Sequence, residues 1–372
     1  MAMKLHLIAG ARPNFMKIAP LWHGLRGHHM IHTSFIHMAQ HRDQGMSSDI
    51  WRDLGLPDPD HILEWGAAAG QDPVAAMMAG YESLCRIDRP DAVLVVGDVN
   101  ASLAAAMIAS EMHIPLIHLE AGLRCFDQKV PEEANRIRID HIANLLLTPS
   151  PDADTNLLNE GISPDRITRV GNIMIDTVVM MKEAVNREQI ANKFGLDSGP
   201  YVVATFHRPS NVDNSGTLSR IVKALCEIAS ILPVCLPLHP RTEQQLIRLG
   251  GITKLEQAGV KCLPPMGYVR FGSLVQDARL VITDSGGVQE ETSWLGIPCL
   301  TLRPSTERPM TVTHGTNRLV CPDDLTAAVI DLVRDHRDTK HQSCQIPLWD
   351  GATTARVIIE LERFCLAAQV TK

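Results

Sequence analysis

Short apolar runs alternate with helical patterns along the whole chain. In the first half the runs predict strands at Lys4–Ala9, Thr33–Met38, Ala92–Val96, Leu116–Leu119, Leu145–Thr148 and Ile167–Val170. Runs that are apolar at every position, such as Val93-Leu94-Val95-Val96, suit a parallel sheet covered on both faces. Between them, helical spacing predicts helices near Pro13–Arg26, Ala75–Arg86, Ala101–Met112, Glu133–Ala143, Asp152–Glu160 and Ile173–Asn186.

A polar stretch, Asn186–Pro200, then reads as a linker, and the series restarts. Strands are expected at Tyr201–Thr205, Val234–Leu238, Val260–Leu263, Leu280–Thr283, Cys299–Leu302 and Leu319–Val320. Helices are expected near Gly216–Leu232, Thr242–Gly250, Val269–Asp277, Val288–Leu295 and Asp324–Asp335. The fold class is therefore α/β, with two tandem Rossmann-like, doubly wound parallel sheets in domains 1–186 and 187–350. A last helix within 351–372 is expected to cross back to the first domain. Such pairs bind ligands at the C-terminal ends of their strands, so the expected site is the interdomain cleft.

Composition narrows the class. The chain has 372 residues, 45% hydrophobic and 21% charged, as expected of an ordinary globular protein. A net charge of −7 gives no general attraction to nucleic acid or anionic membranes, so any phosphate must be held by local cations. The nine cysteines form no Cys-x-x-Cys, and most lie in apolar runs, as expected of free thiols in a reducing cytosol. No signal-peptide layout opens the chain and no apolar run is long enough to span a bilayer, so a cytoplasmic protein without membrane insertion is expected. No Gly-x-Gly-x-x-Gly follows the first strand and no Walker lysine loop occurs, so no cofactor is expected. His37 and His41 lie where strand runs into loop, with no further ligand set, so no metal is expected.

The candidate chemistry stands at the strand ends. Thr283-Asp284-Ser285-Gly286-Gly287-Val288-Gln289-Glu290-Glu291 reads as strand, glycine turn and helix start. Its free N–H groups and the helix dipole suit a phosphate. Glu291 lies one turn on, within range of a sugar hydroxyl. Arg12 and Lys17 after the first strand suit a diphosphate, as do His207 and Arg208 after Tyr201–Thr205. His239 ends the following strand, and Met266 and Phe271 are candidates to pack on a flat base. Asp98, Glu120 and Glu132 put three carboxylates around one cleft. Crowded carboxylates acquire different proton affinities, which supplies an acid and a base. Taken singly, Asp98 also fits a helix cap and Glu132 a partner for a helix dipole.

With these motifs in hand, the chain resembles the non-hydrolysing UDP-N-acetylglucosamine 2-epimerases. The likeness covers Gly10–Lys17, Gly97–Asn100, His118–Arg124, Pro131–Arg136, Gly171-Asn172 with Asp176, His207–Asn211, Thr283–Glu291 and Thr306–Pro309. It implies the glycosyltransferase-B architecture, a cytoplasmic homodimer and interconversion of UDP-GlcNAc and UDP-ManNAc through anti elimination of UDP and a 2-acetamidoglucal. It also implies that Asp98, Glu120 and Glu132 are the acid/base group, with His207 and Lys17 among the catalytic residues. Arg12, Lys17, His207, Ser285, Gly286, Gly287 and Arg308 would hold the diphosphate or its leaving charge, Glu291 the ribose, and Met266 and Phe271 the uracil. Gln40, His41 and Gln44, with His239, resemble in part a second, activating UDP-sugar site. Where the family commonly reads Gly-Thr-Arg-Pro-Glu, this chain has Gly10-Ala11-Arg12-Pro13-Asn14. The competing readings are a hydrolysing epimerase, a 2-epimerase of a modified UDP-sugar such as a diacetamido uronic acid, a retaining glycosyltransferase, and a nucleotide-sugar sensor.

Overall fold

The computed structural model describes residues 2–40, 51–65, 72–196, 199–334 and 346–370. Contacts divide the chain into two compact units, Met1–Met180 with Pro347–Lys372, and Met181–Ile346. The first division falls inside the helix Ile173–Glu188, six residues before the boundary read from the sequence.

The first unit carries seven strands: β1 Met3–Ala9, β2 Ile31–Gln40, β3 His61–Trp65, β4 Ala92–Val96, β5 Leu116–Leu119, β6 Leu145–Thr148 and β7 Ile167–Arg169. Their order is β3-β2-β1-β4-β5-β6-β7, and every pairing is parallel. The order reverses between β1 and β4, the place where ligands sit on such sheets. Val93, Leu94, Val95 and Val96 are all 0% exposed. Each such burial contributes roughly 1.5–3 kcal/mol. That explains why β4 carries no polar position for solvent.

The second unit repeats the plan with β8 Val202–Thr205, β9 Val234–Pro237, β10 Lys261–Leu263, β11 Leu280–Thr283, β12 Cys299–Thr301 and β13 Asn317–Leu319. Their order is β10-β9-β8-β11-β12-β13, again all parallel, with the reversal between β8 and β11. One face packs the helix Ser215–Ala229 through Leu218, Ile221, Leu225 and Ile228. The other packs Val203, Cys235 and Val281 against Leu274 and Val275 of the helix Tyr268–Gln276.

Several elements differ from the sequence reading, the helix Gly251–Gln257 among them. β3 was not expected: His61-Ile62-Leu63-Glu64-Trp65 is neither strictly alternating nor apolar throughout, and on this edge strand Ile62 and Glu64 are exposed. The stretch read as a linker begins as helix, through Glu188, and continues as the short helix Ile190–Lys193. Ile190 and Leu196 belong to the core of the second unit, so only part of this polar-looking stretch is solvated.

The C-terminal helix Thr353–Val370 is held within the first unit. Asp176 accepts the N–H of Thr353 at 3.1 Å and of Thr354 at 2.6 Å, capping the helix across the fold. Arg356 donates to the Val170 carbonyl at 2.6 Å, and Trp349 to that of Pro149 at 3.0 Å. The Gly171-Asn172…Asp176 motif is thus an anchor for this helix. Among the described residues no helix is long and apolar enough to cross a membrane, and no group of three metal-ligating side chains occurs.

Candidate active site

In the first unit the site grows from the end of β4. Gly97 takes a left-handed conformation, φ +64°, open to glycine at little cost. A Cβ there would lie 3.3 Å from both Lys17 Nζ and Glu120 Oε2. The absent side chain leaves the slot in which those two groups form a buried ion pair. Lys17 comes from the helix Arg12–Leu25 and Glu120 from the residue after β5. Glu120 is itself left-handed, φ +67°, a conformation costing a side-chain-bearing residue about 1–3 kcal/mol. Lys17, expected to face a diphosphate, is therefore engaged with a carboxylate of its own unit.

Asp98 follows Gly97, and its Oδ2 accepts from Arg136 Nε at 2.7 Å. Asn135 Nδ2 donates to the Asp98 carbonyl at 2.9 Å. Both partners come from the helix Pro131–Ile142. Of the consecutive glutamates at its start, Glu133 is buried and accepts the N–H of Cys125 at 3.0 Å and of Phe126 at 2.8 Å. It also pairs with Arg136. Glu132 is half-buried and makes no hydrogen bond or ion pair among the described residues. Of the two glutamates, only Glu133 shapes the loop.

Asn14 ties the ends of β1 and β4 together. Its Oδ1 accepts from Gly10 N at 3.1 Å and Ala11 N at 3.0 Å, and its Nδ2 donates to the Val96 carbonyl at 2.9 Å. An amide both accepts and donates, whereas a glutamate carboxylate only accepts. The departure from the family motif at this position therefore has a specific use in this chain.

In the second unit, β11 runs into Asp284 and the helix Gly286–Leu295. Ser285 is the cap residue, and its side chain makes no capping bond to the first-turn N–H groups. Gly286 admits a close approach: a Cβ there would meet Glu307 Oε1 at 2.8 Å and Arg308 NH1 at 3.1 Å. The Arg308 guanidinium thus lies against the helix start, ion-paired with Glu290 at 2.7 Å and hydrogen-bonded to Glu307 at 2.5 Å. Arg303 reaches the other oxygen of Glu307 at 2.6 Å. Gln289 Nε2 donates to the Ser285 carbonyl at 3.1 Å, and its Oε1 accepts from Thr306 Oγ1 at 2.7 Å. That amide fixes the glycine turn to the loop carrying Arg308.

Asp284, fully buried, organises the end of β8. It accepts the N–H of His207 at 3.1 Å and of Arg208 at 2.9 Å, and Asn211 Nδ2 at 3.0 Å. His207 Nδ1 lies 3.0 Å from Asp284 Oδ1. Burial pushes the Asp284 carboxyl up; the His207 ring, Asn211 and the Arg208 N–H outweigh it and hold it below the usual carboxylate range. The His207 ring packs on His239 at 5.5 Å between centroids.

Glu291 is buried and bonded to Tyr268, whose hydroxyl burial and this carboxylate push well above the ordinary range. Met266 lies in the apolar core of the second unit and Phe271 packs against that core. The Arg12 and Gln40 side chains, with His41 and Gln44, lie outside the described residues. Within the first unit the structure brings Lys17, Glu120 and Gly97 together; within the second it gathers His207, Asp284, Ser285, Gly286 and Arg308. Arg136, Asn14, Asp284 and Gln289 were not singled out from sequence as parts of the site. Only Asp284, a polar residue ending an apolar strand, carried a local signal.

The sequence model of the UDP-N-acetylglucosamine 2-epimerase family matches residues 23–362. The chain belongs to that family. As an epimerase of this family it is 37% identical to the UDP-N-acetylglucosamine 2-epimerase of Methanocaldococcus jannaschii, over 96% of this chain and 98% of the relative. It is 38% identical to the UDP-2,3-diacetamido-2,3-dideoxy-D-glucuronate 2-epimerase of Pseudomonas aeruginosa, over 86% of this chain and 88% of that one. The epimerase is also similar to the crystal structure of the M. jannaschii enzyme in complex with UDP-GlcNAc and UDP. That likeness has a TM-score of 0.87 and 36% identity, covering 97% of this chain and all of the other. The Neisseria meningitidis enzyme bound to UDP-GlcNAc gives a TM-score of 0.85 at 27% identity, covering 97% and 100%.

Proposed function

We propose that this epimerase is of the non-hydrolysing type and interconverts UDP-GlcNAc and UDP-ManNAc. A carboxylate takes the C2 proton, the C2–H electrons form the C1–C2 double bond, and the C1–O bond breaks with its electrons on UDP. UDP stays bound, C2 is reprotonated on the other face, and the C1–O bond re-forms.

The observation that carries this reading is the contrast among the three carboxylates of the first unit. Glu120 is buried against Lys17, Asp98 is paired with Arg136, and Glu132 has no partner among the described residues. Different surroundings separate the proton affinities of neighbouring carboxyls, which an acid and a base acting in turn require. Ser285, Gly286, Gly287, Arg308, His207 and Arg12 take the diphosphate, Glu291 the ribose, and Met266 and Phe271 the uracil. Lys17 acts through Glu120, holding its charge in place. Donors aimed at the departing oxygen stabilise its growing charge. Keeping UDP bound until re-addition is what separates this course from hydrolysis.

The test is product identity by 31P NMR after incubation with UDP-GlcNAc. The reading expects a mixture of two intact UDP-sugars; UDP with free ManNAc would assign the hydrolysing course instead. A second reading, a UDP-diacetamido uronic acid as substrate, is favoured by the 38% identity to the P. aeruginosa enzyme. The two sugars offered in competition decide between them by kcat/KM. We further propose a homodimer, measured by sedimentation, and a second UDP-sugar site involving Gln40, His41, Gln44 and His239. That site predicts a lag from UDP-ManNAc alone that trace UDP-GlcNAc abolishes.

A further inference from the structure

In the first unit, the exits of both β4 and β5 refer back to one buried aspartate. Asp140, on the helix Pro131–Ile142, is 0% exposed. Its Oδ2 accepts the Gly122 N–H at 3.1 Å and lies 2.7 Å from Arg124 NH1. Its Oδ1 meets His118 Nδ1 at 2.6 Å. His118, also 0% exposed, turns Nε2 to the Gly97 carbonyl at 3.0 Å. A carbonyl oxygen only accepts, so Nε2 carries a proton and donates it. Burial pushes the Asp140 carboxyl up, but His118 and Arg124 outweigh it, and the group stays ionised below the usual carboxylate range.

The positions of these contacts matter. Gly122 lies two residues beyond Glu120, so Asp140 holds the turn that carries Glu120 in its left-handed conformation. The Gly97 carbonyl belongs to the peptide plane that joins Gly97 to Asp98, so His118 sets the plane from which Asp98 projects. The same plane borders the slot that holds Lys17 and Glu120. Gly97 N donates to the Leu119 carbonyl at 3.0 Å, which ties the two exits to each other. A donor lost here would leave a buried carbonyl unsatisfied and its peptide free to turn.

We propose that His118 and Asp140 are positioning residues for the epimerase reaction, acting through Gly97 and Gly122 to hold Asp98 and Glu120 in register. They touch neither substrate nor reacting atoms. The inference rests on the reading of Asp98 and Glu120 as acid/base residues.

Two substitutions separate positioning from packing. A glutamine amide reaches the place of Nε2, whereas an asparagine amide reaches that of Nδ1. His118→Gln keeps the donor to Gly97 and loses Asp140; His118→Asn does the reverse. The expected result is that His118→Asn lowers kcat by about 100-fold, the scale of a catalytic group misplaced by about 1 Å, with KM unchanged. His118→Gln should restore most of kcat at a similar urea midpoint. Equal losses that follow stability would overturn the role. Should His118→Asn not fold, 15N NMR of the unsubstituted enzyme serves instead: a His118 Nε2 without its proton overturns the proposal and a protonated one supports it. Asp98→Asn and Glu120→Gln run alongside. If either keeps wild-type turnover, the acid/base reading fails and this inference with it. If both are inactive and His118→Asn turns over like the wild type, only the positioning role fails.

Discussion

The Lys17 ammonium is bonded to Glu120 Oε2 inside the first unit, with the two side chains 9% and 2% exposed. Removing one member leaves the other as a buried charge without its counter-ion, which costs about 3–5 kcal/mol. Lys17→Met should therefore lower unfolding stability by about 3 kcal/mol or more and abolish turnover. The double substitution Lys17→Met with Glu120→Gln should regain much of the stability and none of the activity. Urea unfolding and turnover on the same preparations check both statements.

Asp284 is the corresponding hub of the second unit. Asp284→Asn puts an NH2 among N–H donors and removes the charge that faces His207. A buried hydrogen bond to a charged group contributes about 1.5–3 kcal/mol, so a loss of about that size is expected. UDP affinity, measured by calorimetry, should fall as well, since His207 and the Arg208 backbone both lean on this carboxylate. The folded carboxyl lies below its unfolded value, so its stabilisation is full above about pH 4 and is lost as pH falls through the lower folded value.

His6 predicts a second pH effect, remote from the chemistry. Burial, and then the nearby Lys4 charge, push its imidazole down to about 4. From about pH 6.5 down to that value the unfolded chain binds a proton that the folded chain refuses, so stability falls as pH falls. The contribution of this one group between pH 7 and pH 5 is about 2 kcal/mol. Urea midpoints at the two pH values should therefore differ less for His6→Val than for the wild type.

Asp176 anchors the C-terminal helix and takes no part in the proposed chemistry. Asp176→Ala removes a cap, which costs about 1 kcal/mol. The helix Thr353–Val370 should lose amide-exchange protection before the rest of its unit. UDP affinity and turnover per folded molecule should stay unchanged.

Much of the fold was legible because its strands are buried on both faces. β4, β5, β6 and β11 fall on the boundaries that their apolar runs mark. β3 was missed because Ile62 and Leu63 are adjacent, so the segment neither alternates nor runs apolar throughout, and Ile190–Lys193 because its buried residues sit among charged ones. Asp98 and Glu120 could be found because acidic residues ending apolar strands need a reason to be there. Their partners could not: Arg136 reaches Asp98 across 38 positions and Lys17 reaches Glu120 across 103. Pairings of that range depend on strand order, which periodicity does not encode.

The central claim is that the C2–H bond breaks and re-forms while UDP is retained. It is tested most directly by incubating the enzyme with UDP-GlcNAc in D2O and following the sugar by 1H NMR. The account predicts deuterium at C2 in a mixture of intact UDP-GlcNAc and UDP-ManNAc, with no incorporation by Glu120→Gln. Free ManNAc with stoichiometric UDP, or epimerised product still carrying its original C2 proton, would contradict it.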